Sequence, residues 1–240
     1  MKYVIALLLG ISVGVIICIA GIVYNPFSSS AKLSPLSVTD AKTITLTYDA
    51  FPESSMVFTN NGESRIAPVP DKVLELWEAP IRDTEAMATL LYGARGQTAG
   101  IGIKFSSLSE STRLLDGKAN MDSVWYVYLP GQGGLFIEQT ENYFAFLKSV
   151  VVPGYRSSAN SWKGNWLGDT TIGPKPLGTA AVFGGSGQYA GTEMLGLESL
   201  TVSAWSAESG PIAAQGRLTI EMPEALLEDE PEVESTEPDL

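Results

Sequence analysis

Ser123-Val124-Trp125-Tyr126-Val127-Tyr128-Leu129 runs directly into Pro130-Gly131-Gln132-Gly133-Gly134, and Leu135-Phe136-Ile137-Glu138-Gln139-Thr140-Glu141-Asn142-Tyr143 follows. The first seven residues are aromatic and β-branched, the types that pack well on a pleated, half-buried surface. The Pro/Gly segment that follows reverses the chain, because proline presets one turn dihedral and glycine permits the others. The apolar residues after it begin a returning strand. Residues 123–152 therefore read as a β-hairpin.

Working outward, the same signals recur. Thr43-Ile44-Thr45-Leu46-Thr47-Tyr48 alternates polar and apolar, and so does the run carrying Ile101, Ile103 and Phe105. A period of two marks strands with one buried face. Residues 86–92 form another apolar run. Residues 162–170, 178–183, 194–204 and 216–222 supply four more strands, separated by Gly173-Pro174, Gly184-Gly185 and Ser209-Gly210-Pro211. Residues 51–70 read as loop, with a turn at Asn60-Asn61-Gly62, and 71–77 fit either a helical turn or a strand. Short strands with no long helix predict one all-β domain over 42–222, an antiparallel barrel of about eight strands or a sandwich.

Two flanking segments differ. Residues 3–24 contain no charge, and 22 helical residues span about 33 Å, enough for a bilayer core. The expectation is a transmembrane helix within an anchor over 1–27, with a linker over 28–41. Ser29-Ser30-Ala31 leaves cleavage as a signal peptide open. Lys2 on the near side places the domain outside the cytoplasm by the positive-inside rule, so a periplasmic or extracellular location is expected. Residues 223–240 carry eight acids, three prolines and no base, which predicts a disordered acidic tail. Of the formal charge of −12, the tail carries −8 and the rest about −4, an ordinary balance with no basic stripe for nucleic acid.

Composition narrows the chemistry further. The chain has no histidine, and its one cysteine, Cys18, lies in the apolar segment. A Ser-His-Asp triad, a Cys-His dyad and a zinc site are thereby excluded. No metal and no cofactor are expected.

The stretch 178–202, GTAAVFGGSGQYAGTEMLGLESLTV, resembles the glycine-rich hairpin of the dirigent and allene oxide cyclase barrel superfamily. Gly184, Gly185, Ser186, Gly187, Tyr189 and Gly191 stand at the positions of that turn. The missing Lys-Ser/Thr pair argues against a phosphate loop. The resemblance implies an eight-stranded antiparallel barrel with a mostly apolar cavity, in a family of cyclases and of proteins that steer coupling reactions, often as homo-oligomers. It also implies an apolar small molecule as ligand.

Within the hairpin, Phe136, Glu138, Thr140 and Asn142 share one strand face, while Leu135, Ile137, Gln139, Glu141 and Tyr143 share the other. Either face carries a carboxylate, so Glu138 and Glu141 are the candidate acid–base groups, since burial among apolar neighbours raises a carboxyl pKa. Trp125, Tyr126, Tyr128 and Asn142 are the candidate ligand-binding residues. The leading functional reading is a membrane-anchored binding or scaffolding module outside the cytoplasm. The alternative is a cofactor-free cyclase or isomerase acting on an apolar molecule in the barrel. A filled interior favours the first, and a cavity with a buried carboxylate the second.

Overall fold

Alternation along the central hairpin decides which side chains point inward, and the computed structural model shows the result. It describes residues 2–23, 43–49, 56–60, 63–64 and 84–222. The hairpin forms from β6 (Asn120–Leu129) and β7 (Gly133–Asn142), paired from Asn120↔Asn142 to Leu129↔Gly133. Ser123, Trp125, Val127, Leu135, Ile137, Gln139 and Glu141 are buried, whereas Val124, Tyr126, Tyr128, Phe136 and Glu138 face outward.

The other strands are β1 (Thr43–Asp49), β2 (Met56–Asn60), β3 (Glu63–Ser64), β4 (Glu85–Tyr92), β5 (Thr98–Leu108), β8 (Ser161–Asp169), β9 (Thr171–Gly173), β10 (Ala180–Gly184), β11 (Glu193–Ser206) and β12 (Gly210–Glu221). All pairings among them are antiparallel. Strands β1-β12-β11-β10-β7-β6-β5-β4 lie side by side, and β1 also pairs β4 at Thr47↔Tyr92. That contact closes an eight-stranded barrel, a size whose interior side chains fill or which holds one small ligand.

One seam is divided. Strand β10 joins β7 to β11 over residues 135–138, whereas β8 pairs β11 and β9 pairs β7 beyond it. Thr170 bridges the two, accepting from the Asn142 amide at 2.7 Å and donating its own amide to the Glu198 carbonyl at 2.9 Å.

Two expectations are corrected, and the facing of β5, which the sequence left open, is now visible. The hairpin ends at Asn142, and the chain then turns helical through Phe144–Phe146, a wider π turn at Leu147–Val151, and Val152–Arg156 (together α2). This helix covers the barrel wall, with Phe146 tilted against Trp166 at 5.4 Å and Tyr155 against Trp205 at 5.1 Å. The stretch 51–70, read as loop, contains the short pair β2–β3 and its register with β4. In β5 the apolar alternation points outward. Ile101 and Phe105 are each 49% exposed, while Gly100, Gly102 and Lys104 face the interior.

The N-terminal residues form α1 (Lys2–Val23), with Leu7, Leu8, Leu9, Ile16 and Ile17 exposed. Among the described residues no helix is long and apolar enough to cross a membrane, so the expected span rests on the sequence alone. The linker 28–41, the segment 71–77 and the tail 223–240 lie outside the described residues.

Candidate functional site

The barrel interior has two different halves. Toward the turns at 130–132 and 184–192 it is solid: Val127, Leu129, Leu135, Ile137, Val182, Tyr189 and Met194 are at most 4% exposed. Tyr189 closes this end, its hydroxyl donating to Gln132 Oε1 at 2.5 Å. The turn is tied down by Ser186 Oγ, which accepts from the Gly134 amide at 2.9 Å, and by the Gly185 amide, which donates to the Gly134 carbonyl at 2.8 Å. A short helical turn, Gly187–Tyr189, then leads to β11. The six turn residues thus form a structural cap at the closed end.

The opposite half is open. A cavity of about 510 Å³ is lined by Met87, Leu108, Leu114, Met121, Phe146, Leu147 and Leu200, with Tyr48, Glu85, Lys104, Tyr143 and Glu198 as its titratable groups and the hydroxyls of Ser106 and Thr112 beside them. Its mouth lies among the start of β4, the end of β5, the loop after it and α2.

At the floor, one lysine serves two carboxylates. Lys104 Nζ lies 2.8 Å from Glu141 and 2.9 Å from Glu198, and all three residues are at most 6% exposed. Ser123 Oγ and the Tyr143 hydroxyl, each at 2.7 Å, also donate to Glu141. Glu198 collects the Trp125 indole N–H at 2.9 Å and close contacts from the Tyr48 hydroxyl and the Gln139 amide. Thr171 completes the seam, donating to Gln139 Oε1 and accepting the Glu198 amide, both at 2.8 Å. Buried charge is tolerated only when paired and hydrogen-bonded, and this cluster meets that condition.

Small residues make room for it. A Cβ on Gly102 would lie 2.8 Å from the Trp125 ring, and one on Gly216 would collide with the Tyr48 ring. Those two rings meet edge to face at 4.9 Å and deliver their donors to the same carboxylate.

The electrostatics separate the two acids. Burial pushes the Glu141 carboxyl upward and the nearby Glu198 charge adds to this, outweighing Lys104. Burial acts on Glu198 too, but Lys104 and the donors from Tyr48 and Trp125 outweigh it and hold the carboxyl below its ordinary range. Lys104 loses by burial and gains more from its two carboxylates, so it is held above the usual lysine value. Burial and the neighbouring carboxylates keep the Tyr48 and Tyr143 phenols neutral. Unequal environments around paired titratable groups are how a site separates its acid from its anion.

Of the residues proposed from sequence, Glu141 and Trp125 belong to the buried cluster. Glu138 lies on the outer face beside a shallow groove with Asp122 and Thr140. Tyr126 and Tyr128 are 36% and 45% exposed on the outer sheet face, away from the cavity. Asn142 accepts from the Ala119 and Phe144 amides and donates to the Gly117 carbonyl, so it ties the end of β7. Sequence reasoning missed Lys104, Glu198, Tyr48 and Glu85. The signal was available in β5, where Gly100 and Gly102 alternate with Lys104 opposite an apolar face. Two glycines before a charge leave interior room for it.

No protein-family model and no curated protein matches the chain. Among solved structures it is similar to a nonspecific heme-binding cyclase that catalyses [4 + 2] cycloaddition during neoabyssomicin biosynthesis, at 12% identity and a TM-score of 0.38, covering 78% of this chain and 66% of that one. It is also similar to the Diels Alderase AbmU from Streptomyces koyangensis, at 13% identity and a TM-score of 0.40, covering 78% of this chain and 72% of that one.

Proposed function

We propose that the barrel is a cofactor-free cyclase or isomerase that encloses an apolar small molecule. The observation that carries this reading is the apolar cavity with a buried Lys104–Glu141–Glu198 cluster at its floor. Ligand sites are typically apolar walls with a few convergent polar groups. A scaffold needs no buried cation held between two acids beneath an open cavity.

The chemistry follows from the donors. An ammonium has three N–H bonds, and Lys104 commits two to carboxylates. The third is available to an acceptor oxygen on the substrate, such as a carbonyl. Held in place beforehand, that donor stabilises negative charge developing on the oxygen during ring closure or double-bond migration. With its pKa raised, Lys104 stays protonated and does not act as an amine nucleophile. Glu141, whose carboxyl holds its proton more readily, is linked to the cavity through the Tyr143 hydroxyl. A proton on Glu141 reverses that hydrogen bond and frees the Tyr143 O–H to donate into the cavity. Glu198, saturated by four donors, orients Lys104 and Tyr48.

Two measurements test the reading. A neutral solvatochromic dye should bind saturably and shift to the blue, and Met121→Trp at the mouth should weaken it at least tenfold while the melting temperature holds. Incubation with unsaturated apolar carbonyl compounds should yield products of unchanged mass and altered retention, since cyclisation and isomerisation conserve atoms. Saturable binding without conversion would return the protein to the binding-module reading. Dye binding indifferent to Met121→Trp would remove the cavity from both.

The second part of the proposal is that α1 tethers the barrel to a membrane with the barrel outside the cytoplasm. Its support is the uncharged run 3–24 and the exposed apolar side chains of the helix. Full-length protein should pellet with membranes and resist a high-salt wash. Release by salt, or a mature product beginning at Lys32, would refute the tether.

A further inference from the structure

The charge balance around the cavity points to one more property of the ligand, and it rests on the cavity reading above. Glu85 opens β4 and lines the cavity. In the β4–β5 register Met87 stands opposite Lys104 and Glu85 opposite Ser106. Glu85 is thus on the same face as Met87, one step nearer the mouth and diagonal to the lysine. Diagonal neighbours in a sheet are within reach of long side chains. Lys104 nevertheless turns the other way, toward Glu141 and Glu198. The Glu85 carboxylate has no hydrogen bond or ion pair among the described residues.

The titratable groups facing this space from the packed strands are Tyr48 on β1, Lys104 on β5, Tyr143 after β7 and Glu198 on β11, with Glu141 of β7 buried behind Lys104 and Tyr143. One cation therefore stands against three carboxyl groups, and its charge is already shared by the two deeper ones. An anionic ligand would meet that surplus with only a cation already shared by two carboxylates to oppose it. A cation would meet, at the entrance to an apolar chamber, a carboxylate that pairs with none of the described residues.

We infer that the ligand is an apolar molecule carrying a protonated amine, and that Glu85 is the residue that pairs with it. The strongest hydrogen bonds are those between charged partners, and in a partly dried cavity such a pair selects against neutral and anionic analogues. Burial already lifts the Glu85 carboxyl, with Lys104 opposing and Glu141 adding to the rise. An ammonium at this point supplies the counter-charge that keeps the carboxylate ionised.

A matched set tests this: 6-phenylhexylamine, 6-phenylhexanol and 6-phenylhexanoate, titrated calorimetrically into the full-length protein at pH 7 and low salt. The amine should bind at least tenfold tighter than the alcohol, and the carboxylate weaker than both. In Glu85→Gln the amine should fall to within threefold of the alcohol measured in the same variant. Glu85→Lys should place the carboxylate first. Alcohol and amine binding equally to the wild type would overturn the amine assignment and leave the cavity reading intact. Preference for the carboxylate would overturn it in favour of Lys104. Binding of none of the three would overturn the cavity reading itself and this inference with it.

Discussion

Lys104→Met lowers the unfolding free energy by about 3–5 kcal/mol near neutral pH, the usual cost of removing one partner from a buried ion pair. The methionine nearly fills the space, so little of the loss is packing. The penalty arises because Glu141 and Glu198 are left facing each other at the barrel floor without their shared cation. The pH dependence identifies the cause. Glu198 has a lowered folded pKa, so its contribution is present above the unfolded carboxylate value and is lost as pH falls through the folded value. Lys104 has a raised one, so its contribution is present below the unfolded lysine value and is lost as pH rises through the folded value. Glu141 is raised and opposes Glu198: its contribution is complete in acid and declines as pH climbs out of the carboxylate range. The variant's deficit should therefore be widest between the carboxylate range and the lysine range, and should shrink in acid as both carboxyls protonate. Urea denaturation at several pH values measures it. A deficit under about 0.5 kcal/mol, or one flat across pH, would mean that the triad is not held by charge.

Gly187→Val carries the second large effect, a loss of about 3 kcal/mol or more. Gly187 has φ = +66°, and a Cβ there would also run into the carbonyl oxygen of Gln132. Sparsely populated backbone alone costs on the order of 1–3 kcal/mol for a side-chain-bearing residue, and backbone cannot step aside as a flexible side chain can. Two neighbours separate these causes. Gly191 has φ = +75° and open space around its Cβ position, so Gly191→Val incurs the backbone cost only. Gly185 lacks a positive φ, and its Cβ would lie 2.7 Å from the movable ring of Phe136, so Gly185→Val should be the mildest. Melting temperatures in the order 185, 191, 187 from highest to lowest are expected. Equal losses at all three would show that chain reversal, and not contact with the 130–132 turn, governs the cap.

How much of this was legible beforehand differs by element. The hairpin β6–β7 was, because aromatic and β-branched alternation around a Pro/Gly turn has few other solutions. Its far end was not: Phe144, Phe146 and Val150 continue an apolar run, and in the fold that run is helical and packs Phe146 against Trp166. Strand β5 was placed correctly, but its faces were left unoriented. Alternation reveals that Ile101, Ile103 and Phe105 share a face without saying which side is inside, and here they face out. Glu141 was found because its strand had been split into two faces. Glu198 stood on an unoriented strand. Its side-chain partners lie 59 or more positions away in Gln139, Trp125, Lys104 and Tyr48, and local pattern carries no trace of such pairs.

Among the described residues, Tyr189 and the packed side chains beneath it close one end of the barrel, so the cavity opens toward the other. A blind tube has its own traffic rules. Two molecules cannot pass one another inside it, so one occupant is replaced by another only after leaving completely. Its departure rate is then set by the wall and the floor, whatever crowds outside. A product must also retrace the path by which its precursor entered, and the part of the molecule that went in first comes out last.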